Sequence, residues 1–245
     1  MDWHTRYLQQ ARWTAQLRAY LFQKAGLVAA NHILDLGCGT GALLDALPVK
    51  SSATVFGLDL SLSTVQQASI HAPGVSLTCG DGAFLPYADS VFDVVFCHFV
   101  LLWTSHPLKV VAEMRRVTRP GGGILALAEP DYGGRVDYPI GLAALGRWQA
   151  ESLRLQGADP EIGRKLAGIF ARAGLKHVES GVMGGEWTHP ASPEEINLEW
   201  VVLESDLAGH IPFQDIQKMR QLDTAARQKG ERVLFVPTFY AWGKA

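Results

Sequence analysis

The sequence predicts a doubly wound α/β fold: a mostly parallel, seven-stranded sheet with N-terminal helices and helical cap insertions in its second half. Three observations carry that expectation. Five short apolar runs alternate with helical stretches before residue 130, the pattern of parallel strands joined by crossover helices. These runs are almost continuously apolar, as strands covered on both faces are. Two later runs, at 175–187 and 233–242, add strands to the same sheet.

Tyr7, Leu8, Ala11, Ala15, Leu17, Tyr20 and Leu21 recur at helical spacing, so one or two helices precede the first strand. A strand at 32–36 leads to a short helix at 41–47, ended by Pro48. A strand at 53–58 follows, then a helix over 61–72 started by Ser61. Strands at 75–78 and 92–97 flank a turn-rich stretch. A helix over 107–118 stops at Pro120-Gly121-Gly122-Gly123, before the strand at 124–128. Beyond Glu129 the pattern gives a loop at 131–139 and helices at 140–155 and 162–173. The strand at 175–187, helices at 192–207 and 213–228, and the closing strand complete the chain.

Composition removes several classes of function. With 245 residues, 48% hydrophobic and 19% charged, the chain can build a core without staples. Lys and Arg number 22 against 24 Asp and Glu, so nucleic acid is not an expected partner. Cys38, Cys79 and Cys97 are widely spaced, which fits reduced thiols better than a disulfide framework or a zinc site. Asp2, Arg6, Arg12, Arg18 and Lys24 interrupt the N-terminal stretch, leaving no signal-peptide core. The longest uncharged interior stretch, 94–108, is shorter than the roughly 20 residues a membrane span needs. The expectation is a soluble, cytoplasmic chain with no membrane association and no metal. Its oligomeric state is not legible.

The segment Ile33-Leu-Asp-Leu-Gly-Cys-Gly-Thr-Gly41 stands where a buried strand turns toward a helix. Glycines there let a ligand approach the backbone, at the carboxyl ends of the strands. Gly37, Gly39 and Ala42 also satisfy the dinucleotide pattern, and Asp59 falls about 20 residues further on. A nicotinamide enzyme and a plain strand–helix turn are therefore rival readings. Asp35 argues against the first, because a dinucleotide loop keeps that position apolar while a ligand bearing ammonium and sulfonium gives an acid its partner.

With these residues the chain resembles the class I S-adenosylmethionine-dependent methyltransferases of the small-molecule type. Four stretches carry the resemblance: the glycine loop; Gly57-Leu-Asp-Leu-Ser61; Gly80-Asp-Gly-Ala-Phe-Leu-Pro-Tyr87 with Asp93; and Arg116-Val-Thr-Arg-Pro-Gly-Gly-Gly123. It implies a Rossmann-like fold and one domain over 1–245. Residues 1–30 would be cap helices, 31–130 the cofactor-binding core, and 131–245 the remaining strands with substrate-cap insertions. It implies S-adenosylmethionine as cofactor, S-adenosylhomocysteine as product and a small-molecule methyl acceptor. An RNA or protein methyltransferase, or a non-catalytic S-adenosylmethionine-binding protein, is the alternative.

The resemblance also assigns roles. Gly37, Cys38 and Gly39 would pack against the methionine and ribose, and Asp35 would sit near the amino end. Asp59 would accept from both ribose hydroxyls, while Leu60 packs on adenine. Asp81 would take the adenine amine, with Gly82 and Ala83 beside it. Arg18 would pair with the cofactor carboxylate. Cys97 and His98 would face the methyl, with His98 the candidate general base or else a wall of the pocket. Cys97-His98-Phe99-Val100 departs from the Asn/Asp-Pro-Pro-aromatic signature, which argues against methylation of adenine or cytosine in DNA. Glu129 or Asp131 would read a polar acceptor group or serve a turn. Trp148, Trp187, His189 and Trp200 would line an acceptor pocket or be ordinary core.

Overall fold

A computed structural model describes residues 2–184 and 191–245. Asp2 caps α1 (Trp3–Trp13) by accepting from the His4 N–H. Thr14 separates it from α2 (Ala15–Ala25), which Gly26 ends in a left-handed conformation. Then follow β1 (His32–Leu36), β2 (Thr54–Asp59), α3 (Leu62–His71), β3 (Ser76–Cys79), β4 (Phe92–Cys97), α4 (Pro107–Val117) and β5 (Thr118–Pro130). The second half holds β6 (Val136–Tyr138), α5 (Ala143–Leu155), α6 (Leu166–Arg172) and β7 (Lys176–Met183). It closes with α7 (Pro193–Leu207), α8 (Phe213–Gln228), β8 (Val233–Phe235) and β9 (Thr238–Lys244).

The main sheet has seven strands in the order β3-β2-β1-β4-β5-β9-β7. β9 runs antiparallel to both its neighbours, and the other pairings are parallel. Alternation along each strand sorts side chains to two faces. Leu34, Leu36, Val95, Cys97, Ile124 and Ala126 pack toward α4 and α6. Ile33, Val94, Phe96, Leu125 and Leu127 pack toward Leu21, Phe22 and Ala25 of α2. Close approach of α2 depends on Gly123, where a Cβ would stand 2.8 Å from the Cβ of Ala25. A separate apolar cluster joins α5, α7 and α8 through Leu145, Trp200, Leu203, Leu207 and Ile216.

The expected helix at 41–47 is only a 3-10 turn, Leu44–Ala46. Gly41 at φ 83° and Pro48 leave a stretch too short to offset helix nucleation. The closing strand is two strands. β8 pairs with β6 in a two-stranded sheet and β9 enters the main one, with the donor-less Pro237 between them. β5 begins at Thr118, ahead of the expected start, and β7 ends at Met183. The expected helix at 162–173 opens as a 3-10 turn, Gly163–Lys165. Trp187 and His189 lie outside the described residues. Among those described, no helix is long and apolar enough to cross a membrane.

Candidate cofactor and acceptor site

The glycine loop leaves β1 by turning its amides inward. Gly37 and Cys38 N–H both donate to the Leu58 carbonyl, at 2.6 and 3.0 Å, and Gly41 N–H donates to the Cys38 carbonyl at 2.9 Å. Gly39 N–H donates to Asp59 Oδ2 at 2.9 Å, and Asp59 Oδ1 accepts from Ser61 N–H at 2.9 Å. These amides are therefore committed within the protein, and no α-helix N-terminus follows them. What the loop offers a ligand is close approach. Gly39 sits at φ 54°, and a Cβ there would stand 3.1 Å from the Tyr7 ring.

Strand parity decides which residues meet. Asp35 shares its face with Ile33, and His98 with Phe96, so both turn toward α1 and α2. Cys97 has the opposite parity and is buried in the α4–α6 layer, where burial pushes its thiol well up. Asp35 is 2% exposed, and its carboxylate accepts no hydrogen bond among the described residues. Burial and the neighbouring Asp59 push its carboxyl up to about 8, against a downward pull from Arg18.

Thr14 joins Arg18 to His98. Arg18 Nη1 donates to Thr14 Oγ1 at 2.6 Å and also to the Ala11 carbonyl. Thr14 Oγ1 lies 2.9 Å from His98 Nε2 but 3.4 Å from the Gln10 and Ala11 carbonyls. The contact with Thr14 fixes the orientation of the imidazole ring. Burial and the Arg18 charge push this histidine down to about 3. Its Nε2 is thus held against Thr14, and its basicity is low.

A cavity of about 890 Å³ opens over the carboxyl ends of β1, β2 and β4 and runs under the cap. Asp35, Gly37, Cys38, Gly39, Asp59, Leu60, Asp81, Gly82, Ala83 and His98 line one end of it. Arg18 and Cys97 do not line it. Leu60, 75% exposed, stands at the mouth. Asp81 Oδ1 accepts from Ala83 N–H at 2.8 Å, which leaves the Gly82 N–H without a partner among the described residues.

Trp3, Arg6, Tyr7, Gln10 and Trp13 of α1 roof the cavity. Their spacing of three and four marks one helix face, a signal hidden in the sequence by the apolar face beside it. The cap end is walled by Tyr132, Gln149, Glu199, Trp200, Asp206 and Asp223, among others. Asp223 accepts from Trp200 Nε1, Arg227 and Arg232, and Arg232 reaches on to Asp137 at 2.7 Å. Trp148 lies in the cap's apolar cluster and not on the cavity wall. Glu129 and Asp131 serve the backbone and the fold. Glu129 accepts from the N–H groups of Val100, Leu101 and Leu102, and Asp131 is forked by Arg164.

Comparison with known proteins agrees with this arrangement. A family profile described as "Methyltransferase domain" matches residues 34–126. The chain is 32% identical over 127 residues to the demethylmenaquinone methyltransferase of Renibacterium salmoninarum, covering 51% of this chain and 52% of that one. It is 30% identical over 201 residues to a ubiquinone/menaquinone biosynthesis C-methyltransferase of Desulfotalea psychrophila, covering 73% of this chain and 80% of that one. The chain thus spans about half the length of the first relative and most of the second. Phosphoethanolamine N-methyltransferase 2 of Haemonchus contortus, solved with S-adenosyl-L-methionine, shares the fold at a TM-score of 0.60 and 16% identity. The match covers 97% of this chain and 56% of that one. Sheet order, glycine loop and relatives converge, and the chain belongs to the S-adenosylmethionine-dependent methyltransferase family.

Proposed function

We propose that the protein transfers the methyl group of S-adenosylmethionine to a small-molecule acceptor held under the cap. The observation that carries this is one continuous cavity, with the family's cofactor residues at one end and a chamber under the cap, walled by apolar and polar side chains, at the other. A protein that only bound the cofactor would have no use for the second chamber. The formal charge of −2 argues against an extended nucleic-acid groove.

The residues present fit the cofactor. Asp35 is a buried carboxyl that accepts no hydrogen bond among the described residues, and an ammonium group beside it would hold it ionised. Each Asp59 oxygen accepts one backbone N–H and keeps a lone pair for a ribose hydroxyl. Gly82 offers an N–H with no partner among the described residues beside Asp81, and Leu60 an apolar surface for adenine. When bound, S-adenosylmethionine supplies an electrophilic methyl on a sulfonium. The chain's own part is to orient and enclose. His98 contributes a neutral wall fixed by Thr14, and at about 3 it is too weak a base to take an acceptor proton near neutrality. Positioning then supplies the rate, a term worth of the order of 7–11 kcal/mol in well-oriented reactions.

Calorimetry with S-adenosylhomocysteine tests the reading. Binding and a raised melting temperature are expected. Asp59→Ala should weaken binding by about ten- to a hundredfold, the loss of roughly 1.5–3 kcal/mol of charge-assisted bonds. It should also lower stability, since the same carboxylate braces Gly39 and Ser61. No heat and no thermal shift at millimolar ligand would sink the proposal.

A further inference from the structure

Among the described residues, two charged side chains in the cap end of the cavity make no salt bridge, and they have opposite sign. Arg6 uses Nη1 to donate to Gln9 Oε1 at 2.6 Å and lies over the Trp13 ring at 4.7 Å. Among the described residues it makes no salt bridge, and the rest of its five N–H donors make no hydrogen bond. Asp206 accepts from Gln149 Nε2 at 2.9 Å, feels Gln156 and the charge of Arg6, and makes no salt bridge among the described residues. The other charges lining this end are paired. Arg135, Arg227 and Arg232 pair with Asp137, Asp223 and Glu199.

Arg6 lines the cavity and Arg18 does not, and the two feel different acids. The acid whose charge acts on Arg18 is Asp35, at the cofactor end. The groups that act on Arg6 are Tyr132, Glu199 and Asp206, all of the cap. Arg6 therefore belongs to the acceptor chamber. Tyr132 lines the same chamber, and its hydroxyl makes no hydrogen bond among the described residues.

From this juxtaposition, and resting on the methyltransferase reading above, we infer that Arg6 and Asp206 are the recognition pair for the acceptor. The acceptor class is a small hydroxylated oxyanion: an anionic oxygen of carboxylate or phenolate type for Arg6, and a hydroxyl that donates to Asp206. A desolvated guanidinium gains most from an anion. A desolvated carboxylate gains most from an O–H donor. Trp13 holds the guanidinium plane from behind, so the anion is met by a cation already oriented.

The full chain saturated with S-adenosylhomocysteine would be titrated calorimetrically with 4-hydroxybenzoate, benzoate and 4-hydroxybenzamide. The expected order places 4-hydroxybenzoate first. The neutral amide should bind about tenfold or more weaker, the range of one charge-assisted contact. Arg6→Met, which keeps an apolar stem against Trp13, should abolish the preference for the anion while S-adenosylhomocysteine affinity stays within about threefold; Arg6→Lys should restore part of it. Asp206→Asn should erase the advantage of 4-hydroxybenzoate over benzoate. Equal binding of anion and amide to the unmodified chain would overturn the inference, as would no binding of any probe to the loaded chain. So would an anion preference that survives Arg6→Met. Failure of S-adenosylhomocysteine itself to bind would instead overturn the methyltransferase reading.

Discussion

Asp35 ties the pH response of the molecule to its ligand. Its ordinary value is 3.8 and in the fold it is held at about 8, so between those values the native chain keeps a proton that the unfolded chain has released. Stability of the cofactor-free protein should therefore fall as pH rises from about 4 to 8, by at most about 1.4 kcal/mol per pH unit from this group. Above 8 the contribution is flat. Asp35→Asn should remove that part of the slope, and chemical denaturation at pH 5 and pH 8 measures it. A cationic cofactor beside the carboxylate expels the proton, so the calorimetric heat near pH 7 should vary with the ionisation heat of the buffer. Asp35 itself was legible in the sequence, because an acid two residues ahead of a glycine loop is out of place in an apolar strand. Its solitude was not. That depends on Arg18 turning its Nη1 to Thr14 and the Ala11 carbonyl, a contact across a helix break that no local pattern encodes.

Most elements follow from local rules. Ser192 and Glu195 form a reciprocal capping box at the start of α7, and Ser61 caps α3 as its position in the sequence implies. The misread elements are those in which a glycine or proline competes with a neighbour. The stretch after the glycine loop was too short to nucleate, and Pro237 divided an apolar run that pattern alone reads as continuous. Packing between elements was less legible still, because it depends on absent atoms. Gly123→Ala places a methyl 2.8 Å from the Ala25 Cβ, so α2 must move off the sheet. We expect destabilisation of about 1–3 kcal/mol, the usual range for overpacking, read as a lower midpoint in urea. Ala25→Gly in the same chain should recover part of it. A midpoint unchanged by Gly123→Ala would mean that α2 is not seated on β5.

At the scale of the whole molecule, the sheet and its cap are separate apolar clusters joined along one cavity. The sheet carries the motifs, which is why the cofactor half was readable. The cap carries residues whose meaning appears only when helices distant in sequence face each other. Trp148 and Trp200 illustrate this, being equivalent by composition yet placed differently. Trp148→Ala should lower the melting temperature and leave acceptor KM unchanged. Trp200→Ala, on the cavity wall and hydrogen-bonded to Asp223 at 2.9 Å, should alter both. The measurement is methyl-transfer kinetics beside a thermal melt for each variant. Across these two halves lies α1, with Tyr7 against Gly39, Arg6 turned to the cap, and Gln9 Nε2 reaching the Glu195 carbonyl at 3.4 Å. One short helix thus touches both chambers, and whichever ligand settles it in place prepays the ordering that the other would otherwise require. Cofactor and acceptor should then raise each other's affinity by a common factor, since a coupling free energy has no preferred direction.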